Sequence, residues 1–246
     1  MRKQFDIIVY PVKEIEPSIE DPAIEWFASE NINETLPKTN AEWIILIHQD
    51  VRITKEHLHE IGQACLDFPM IDCFAPTLVS SSNHSSFASA YVIDINKGPI
   101  TWNKLKSSPY EYVAGSSPYL MVVSRRIIQR TGAFDLDLSL AIRFIDLGLR
   151  IYHAGGSIFS IPLSPVELID SSKPEAILKI KEHESALCIF KNMGINAAFV
   201  YLKKNFKLNI LFHFLTKMKS FYHKRKKAIL LSKFSNERLQ KIYQSF

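Results

Sequence analysis

The chain has few cysteines and no apolar run long enough to span a bilayer. Its three cysteines are Cys65, Cys73 and Cys188, and their spacing matches neither a disulfide framework nor a zinc knuckle. Cys65 and Cys188 lie in apolar helical patterns, which favours buried free thiols and a reducing compartment. The first residues are basic, but Asp6 and Pro11 interrupt the short apolar run behind them, so we expect no signal peptide.

Acidic residues are scarce in the C-terminal part of the chain. From Lys191 onward there are 13 Lys and Arg residues and one acid, Glu237, which is a balance of +12. The whole chain has a net charge of +5, so residues 1–190 carry −7. This division indicates that the C-terminal part meets something anionic, either a membrane surface or nucleic acid.

What the sequence does contain is an apolar fraction of 47% in 246 residues, enough for one sizeable core plus an appendage, or for two small domains. Strand patterns and helical patterns alternate, which predicts an α/β fold with a mostly parallel sheet covered by helices. We divide the chain into a sheet domain, 1–170, and a helical basic region, 171–246. The segment 24–36 has mixed helical signals. Strands are expected at 5–10, 43–47, 70–79, 91–95, 118–123 and 157–162, and helices at 54–68, 137–153 and 173–193.

One stretch organises the rest. Five large apolar residues, 43–47, are followed at once by His48, Gln49 and Asp50. Polar groups at the carboxyl end of a buried strand lie in the crevice where α/β proteins bind ligands. Asp50 is therefore a candidate to hold a divalent cation through a carboxylate oxygen, with His48 beside it. The alternative is a polar strand-to-helix turn in which Thr54 caps the next helix.

Several segments occur in an order and spacing similar to those of a known family. They are 33–43, the strand 44–51 ending in His-Gln-Asp-Val, the segment 115–135 with Gly, an apolar strand, Arg-Arg and Gly-Ala-Phe-Asp, and the run Asp-Leu-Gly-Leu-Arg at 146–150. Over residues 5–162 the chain resembles the family 2-like glycosyltransferases, in the branch with a His-Gln-Asp-Val variant of the Asp-x-Asp metal motif. The resemblance implies a GT-A-like fold.

The resemblance also implies a reaction: transfer of a sugar from a nucleotide-sugar, expected to be a UDP-sugar, to a surface glycan or lipid-linked acceptor. A diphosphate leaving group needs its growing charge neutralised, which Mn²⁺ or Mg²⁺ would do. Asp50 and His48 are the implied metal ligands, with His48 where the family has its first Asp. Imidazole is acceptable to Mn²⁺ but poor for Mg²⁺.

For the donor site, the resemblance points to the end of the first strand and to two later residues. Tyr10, Pro11 and Val12 are expected to form part of the pocket, together with Asn33. Gly115 would let the backbone approach the substrate closely. The irregular loop 96–113 is expected to contact the acceptor, and its Trp102 and Tyr112 either offer aromatic faces to a sugar or serve in packing.

The position of the catalytic base departs from the family's pattern. The family carries its acids at positions that are Arg143 and Phe144 here. Asp146 is then the expected base, with Asp135 and Asp137 as further candidates, because inverting transfer needs a carboxylate to take the acceptor proton. The alternative for Asp146 is an ion pair with an arginine one turn away, Arg143 or Arg150. A second function class is therefore a catalytically silent GT-A-like subunit that binds a partner transferase or a glycan.

The C-terminal segment 195–230 interleaves aromatic and aliphatic residues with cations, which is typical of an interfacial helix on anionic lipid. This predicts a cytoplasmic protein peripheral to the inner face of a membrane, close to a lipid-linked acceptor. The alternative is a helical hairpin that packs on the protein body or on a second subunit of a homodimer. Nucleic-acid binding is the third interpretation and the weakest, since no nucleic-acid motif accompanies the charge.

Overall fold

The computed structural model describes residues 4–15, 17, 19–79, 86–88, 90–94, 96–101, 111–169 and 180–231. The strands are β1 Phe5–Tyr10, β2 Ile24–Ala28, β3 Trp43–His48, β4 Val51–Arg52, β5 Cys73–Val79, β6 Ser86–Ala88, β7 Tyr91–Asp94, β8 Gly98–Thr101, β9 Leu120–Ser124, β10 Ile158–Pro162 and β11 Glu167–Leu168. The helices are α1 Ile32–Thr35, α2 Lys55–Asp67, α3 Arg125–Thr131, α4 Leu140–His153, α5 Glu182–Met193, α6 Ile195–Lys204 and α7 Leu208–Leu231.

The central sheet has the strand order β10-β5-β9-β3-β1-β2, with β6 paired to the far part of β5. β1 pairs in parallel with both β2 and β3, and β5 pairs in parallel with β10. β9 is antiparallel to both of its neighbours, β3 and β5. The sheet is therefore mostly parallel, with one reversed strand in the middle, and the prediction of a mostly parallel α/β sheet is confirmed.

Both faces of the sheet are buried because β1 and β3 are apolar at successive positions. Ile7 and Ile45 belong to a core shared with Ile61 of α2 on one face. Ile8 and Leu46 belong to the larger core on the other face, which also contains α4 and the C-terminal helices. The side chains of these five residues are all fully buried.

Two expectations about local structure were wrong. The mixed helical signal at 24–36 covers the edge strand β2, and its helix is the single turn α1. Each residue of β2 is only half buried, so the strand lacks the apolar contrast that marked β1. The helix expected from 173 begins at Glu182 in the described residues. Residues 80–85 of the polar loop and residues 102–110 of the loop 96–113 lie outside the described residues.

The C-terminal helices share the larger core with the sheet. Ile210, Phe214, Phe221 and Ala228 of α7 are buried and recur at intervals of four or seven residues, which is one face of a helix. Ile210, Phe214 and Phe221 pack in the same cluster as α5 and α4. The division of the chain at 170 and 171 stays a prediction. In the described part of the chain, no helix combines the length and apolar character needed to cross a bilayer.

Two glycines allow α4 to approach the segment before β9. A Cβ at Gly148 would lie 2.9 Å from the Cα of Gly115, and a Cβ at Gly115 would lie 2.9 Å from the Cα of Ile145. Both distances are to backbone atoms, which cannot rotate away as a side chain can. The position of α4 over the sheet therefore depends on having no side chain at either residue.

We expect Gly148→Ala to lower the free energy of unfolding by about 1–3 kcal/mol, since the added methyl overpacks against backbone. The control is Gly62→Ala in α2, where the nearest atom to the new Cβ is 3.4 Å away. Alanine favours a helix interior over glycine by about 0.5–1 kcal/mol, so the control should be stabilised. Urea unfolding measures both. Equal effects of the two substitutions would contradict the close-packing account.

Candidate functional site

The carboxyl ends of β1 and β3 lie side by side at a reversal of strand order. The chain runs from β1 to β2 on one side and then returns to β3 on the other side of β1. Tyr10 and His48 are cross-strand partners at this edge, and the N–H of Gln49 donates to the carbonyl of Tyr10 at 2.7 Å. Ligands of open α/β sheets bind at such a switch point.

His48 and Asp50 meet at this edge. His48 is 4% exposed, held between the rings of Tyr10 and Tyr119 at centroid distances of 5.8 and 5.4 Å. Its Nδ1 lies 3.3 Å from the backbone N of Asp50 and 3.3 Å from Asp50 Oδ2. Burial lowers the pKa of His48, and the Asp50 carboxylate opposes that shift in part. The imidazole is therefore biased towards its neutral form.

The Asp50 carboxylate is accessible without being free in solution. Its side chain is 22% exposed, and the Asp50 carbonyl accepts a hydrogen bond of 2.8 Å from the N–H of Ile169, beside the short ladder of β4 and β11. When Nδ1 of His48 accepts the Asp50 N–H, it has no proton for the carboxylate. The single lone pair of Nδ1 is then used by this N–H, so His48 would bind a cation through Nδ1 only by giving up the 3.3 Å hydrogen bond, whereas the Asp50 carboxylate keeps lone pairs for a cation.

A cleft of about 450 Å³ opens on the α4 side of this edge. Its residues come from the end of β1, the segment after β2 and the start of α4; they are Tyr10, Pro11, Glu30, Asn31, Ile32, Asn33, Phe134, Leu136, Leu140, Arg143 and Phe144. Three of the five residues expected in the donor site, Tyr10, Pro11 and Asn33, are thus brought together. The ring of Phe144 stacks on that of Tyr10 at 6.1 Å and forms part of the floor.

Asn33 joins the two walls of the cleft. Its side-chain Nδ2 donates to the carbonyl of Phe134 at 2.8 Å, and its Oδ1 accepts from the N–H of Phe134 at 2.8 Å. Both hydrogen-bonding ends of the amide are used in this contact. Tyr10 likewise donates its hydroxyl to the carbonyl of Pro118. These two side chains shape the cleft, and their polar atoms already have protein partners.

The other two expected donor residues lie elsewhere. Val12 lines a second depression, on the α2 face, together with Val9, Gln49 and Arg52. Gly115 faces α4 and forms a bridge with Tyr91, so its close contact is with the protein's own backbone. In the loop expected to bind the acceptor, β8 pairs with β7, and Trp102 falls outside the described residues. Tyr112 is 52% exposed and packs edge-on against a neighbouring ring.

Asp146 lies at the centre of a buried ion network. It is 0% exposed, and its oxygens accept from Arg150 Nε, Lys191 Nζ and Asn192 Nδ2, each at 2.9 Å. Burial alone raises the pKa of this carboxyl, but Arg150 and Lys191 outweigh it and lower the pKa to about 2. A carboxylate so held is a poor proton acceptor near neutral pH. The network ties α4 to α5.

Asp135 and Asp137 flank the cleft residue Leu136. Asp135 is bound by Lys191 Nζ at 2.8 Å and by Lys224, and these cations outweigh the effect of burial and lower its pKa. Asp137 is 57% exposed at its side chain and pairs with Lys224 at 2.6 Å. Both aspartates therefore attach the rim of the cleft to α5 and α7.

Sequence reasoning missed two charged residues of the cleft, Glu30 and Arg143. The Glu30 side chain is 66% exposed and lies 3.7 Å from Lys13. Arg143 donates to the carbonyls of Leu138 and Leu136 at 2.6 and 3.0 Å. Glu30 follows an edge strand that the hydrophobic pattern did not reveal. Its position two residues beyond the end of β2 would have marked it, had that strand been recognised.

The chain matches no family model, and no curated protein matches it. Among solved structures, it is similar to the crystal structure of GalNAc-T7 with UDP, GalNAc and Mn²⁺, with a TM-score of 0.53 and 11% identity. That match covers 83% of this chain and 43% of the other. The fold is GT-A-like.

Two further structures have TM-scores below 0.5. The mannosyltransferase PcManGT from Pyrobaculum calidifontis in complex with GDP-Man and Mn²⁺ has a TM-score of 0.46 at 10% identity, covering 100% of this chain and 80% of that one. A197 from STIV has a TM-score of 0.43 at 11% identity, covering 68% and 86%. At 11% identity, the similarity to GalNAc-T7 concerns the fold alone.

We expect Asp146→Asn to lower the free energy of unfolding by about 3–5 kcal/mol, because it leaves Arg150 and Lys191 buried without their carboxylate. The control, Asp137→Asn, removes an exposed ion pair and should cost no more than about 1 kcal/mol. Urea unfolding at neutral pH compares the two. Similar losses would show that the buried network does not hold α4 to α5.

The same network predicts a pH dependence of stability. A carboxyl whose pKa falls to about 2 on folding stabilises the protein above its unfolded pKa near 3.8, and this contribution is lost as pH falls towards 2. By linkage this step is worth roughly 2 kcal/mol. Urea midpoints measured from pH 5 down to pH 2 should show the step in the native chain and a smaller one in Asp146→Asn. Equal slopes in the two proteins would contradict it.

Proposed function

We propose that this protein is a glycosyltransferase that moves a sugar from a nucleotide-sugar donor to a glycan or lipid-linked acceptor. The observation that carries the proposal is the Asp50 carboxylate, partly exposed at the carboxyl end of β3 beside β1, at the switch point of a GT-A-like sheet. GalNAc-T7, whose fold is similar, was solved with UDP, GalNAc and Mn²⁺, which supports a UDP-sugar as donor.

The residues at the edge fit a divalent cation. Asp50 and His48 would supply one carboxylate oxygen and one imidazole nitrogen, and the described residues hold no group of three or more His, Cys, Asp or Glu that could complete a protein-only site. Sites filled partly by substrate phosphate and water suit Mg²⁺ and Mn²⁺, and the imidazole favours Mn²⁺. When bound, the cation would neutralise the charge that develops on the departing diphosphate.

The cleft beside Tyr10 is the proposed place for the nucleoside. A planar base would pack on the apolar lining of the cleft, in which Leu136 is 48% exposed and the stacked rings of Tyr10 and Phe144 are buried. Glu30 lines the wall with a carboxylate that could accept from a ring N–H or a ribose hydroxyl, whereas the Asn31 amide is engaged with the Glu34 side chain and the Asn33 N–H. Asn33 would act indirectly, since its amide is engaged with Phe134. This placement puts the base on the α4 side and the diphosphate towards Asp50.

For the catalytic base, we rank Asp146 and Asp135 lower than the resemblance implies. Asp146 is locked among cations, and Asp135 is held by two lysines. Asp137, the most exposed of the three expected carboxylates, ranks first among them. Glu30, which lines the cleft itself, is a further carboxylate within the proposed site. General-base catalysis requires one of these groups to reach the acceptor hydroxyl.

A second function remains as an alternative, a catalytically silent GT-A-like subunit that binds a partner transferase or a glycan. It is favoured by one observation: Phe144, fully buried, occupies a position where the family has an acid. A radiometric assay of UDP-sugar hydrolysis with Mn²⁺ separates the two. Donor binding without any turnover, hydrolytic or transfer, would support the silent subunit.

The acceptor and the location also belong to the proposal. A surface-glycan or lipid-linked acceptor would be met at the cytoplasmic face of a membrane. The three cysteines are all unpaired in the structure, and Cys73 and Cys188 are buried, which is compatible with a reducing compartment. A homodimer through the C-terminal helices is the competing use of that surface, and nucleic acid is the least favoured partner.

We expect Asp50→Asn to weaken Mn²⁺-dependent UDP binding at least about tenfold, since the amide cannot replace a charged ligand oxygen. Isothermal titration of UDP with Mn²⁺, and again with EDTA, measures the change. The matched control is Glu167→Gln in the adjoining ladder, where a 55% exposed carboxylate is neutralised without touching the proposed site. Unchanged affinity in Asp50→Asn would remove the metal role.

We expect Glu30→Gln to weaken UDP binding severalfold while the metal dependence persists, because it removes one hydrogen-bond acceptor charge from the nucleoside wall. Glu20→Gln, an exposed acid outside the cleft, is the control. Titration of UDP and of free Mn²⁺ into each protein distinguishes loss of nucleoside contact from loss of metal. A loss confined to Mn²⁺ affinity would place the nucleoside elsewhere.

A further inference from the structure

The long helix α7 has two apolar stripes, and only one of them is buried. The buried stripe, which includes Phe214 and Phe221, packs in the core with α5. The second stripe consists of Leu208, Phe212, Leu215, Tyr222 and Ile229, each between 44% and 75% exposed, with Lys219 and Lys226 at the intervening positions. Together, these apolar residues and the two lysines recur every three or four residues, so they form one continuous face of the helix.

Exposed apolar side chains also occur on α6 and in the turn that follows it. Phe199, Val200 and Phe206 are 52%, 44% and 64% exposed there, and Lys203 and Lys204 lie beside them. Adjoining exposed apolar side chains of this number are unusual on a monomeric protein and mark an interaction surface. We call this surface, residues 199–230 excluding the buried positions, the α6–α7 face.

Not all of the C-terminal cations contribute to this face. Lys191 pairs with Asp135 and Asp146, Lys207 with Glu182, and Lys224 with Asp135 and Asp137. Six exposed lysines form no ion pair with any described residue; they are Lys203, Lys204, Lys217, Lys219, Lys226 and Lys227. Internal pairing thus uses Lys191, Lys207 and Lys224, and it leaves Lys219 and Lys226, which lie within the apolar stripe, without an ion-pair partner among the described residues.

The charge decides between the two occupants of the face. A second copy packed stripe to stripe would bring lysines against lysines, because the sequence has no acid between residues 191 and 236. Like charges that are brought together in this way oppose association. An anionic lipid surface offers an apolar layer for the stripe and negatively charged headgroups for the lysines. A flat helix face with aromatic residues and flanking lysines suits the headgroup boundary.

We propose that the α6–α7 face docks the protein on an anionic membrane surface and thereby sets the cleft beside the bilayer. Lys224 of α7 binds Asp135 and Asp137, which flank Leu136 on the rim of the cleft. The rim is therefore attached to the membrane-facing helix, within about one helix diameter, 10–12 Å, of the lipid. A lipid-linked acceptor would be in reach of the cleft; this last step rests on the proposed function.

The test is co-sedimentation of the full chain with vesicles of phosphatidylcholine alone, or of equal parts phosphatidylcholine and phosphatidylglycerol. We expect binding only to the mixed vesicles, weakened at least about tenfold by Phe212→Gln with Leu215→Gln. The matched control is Leu66→Gln with Met70→Gln, which are 72% and 83% exposed on the other side of the molecule. Equal losses from both pairs would overturn the assignment of the face.

The charge contribution is tested by Lys219→Gln with Lys226→Gln. Each lysine near an anionic surface adds about fivefold to the affinity, so the double substitution should weaken binding by about twenty-fivefold and reduce its salt dependence. Lys38→Gln with Lys55→Gln, exposed lysines away from the face, is the control. Equal binding of the native chain to both vesicle types would overturn the anionic preference.

Sedimentation velocity without lipid tests the competing occupant. A concentration-dependent dimer that Phe212→Gln with Leu215→Gln converts to monomer would show that the face binds a second copy and would overturn the proposal. Titration of UDP and Mn²⁺ into the same variant reports on the site separately. Loss of vesicle binding with intact nucleotide binding confirms the docking face, and absence of nucleotide binding in every protein counts against the transferase function alone.

Discussion

A single buried carboxylate, that of Asp146, holds α4 to the C-terminal helices. Asp146 on α4 collects three donors, one from its own helix and two from α5. Because the group is fully buried, each missing donor would leave a charge in a low-dielectric environment. The same lysine that meets Asp146 also meets Asp135. The wall of the cleft, the helix behind it and the C-terminal helices are thus parts of one electrostatic unit.

This unit explains why the motif and the chemistry diverge here. The Asp-Leu-Gly-Leu-Arg run looks catalytic when it is read as a string, yet its aspartate and arginine pair with each other at i and i+4. Nearby, Phe144 places an aromatic ring where a carboxylate is expected and contributes it to the floor of the cleft. Of the carboxylates near the cleft, Asp137 and Glu30 stay exposed, with side-chain exposures of 57% and 66%.

The sequence allowed the parts with strong apolar contrast to be predicted. The first strand, the strand ending at His48 and helix α2 are where the hydrophobic pattern placed them. The half-buried edge strand β2 gave no such contrast, so Glu30 behind it was missed. The closeness of His48 and Asp50 could be predicted, because they are two residues apart in the chain. The joining of Asn33 to Phe134 could not, because 101 residues separate them and only the tertiary fold brings them into contact.

That contact has a consequence for ligand entry. Asn33 fastens the segment after β2 to the segment before α4 with a pair of hydrogen bonds, so the walls of the cleft cannot separate or close independently. A rigid cavity loses little conformational entropy when it is filled. Among the described residues, this part of the cavity wall is thus set by the fold, and its selectivity would rest on fit to that wall.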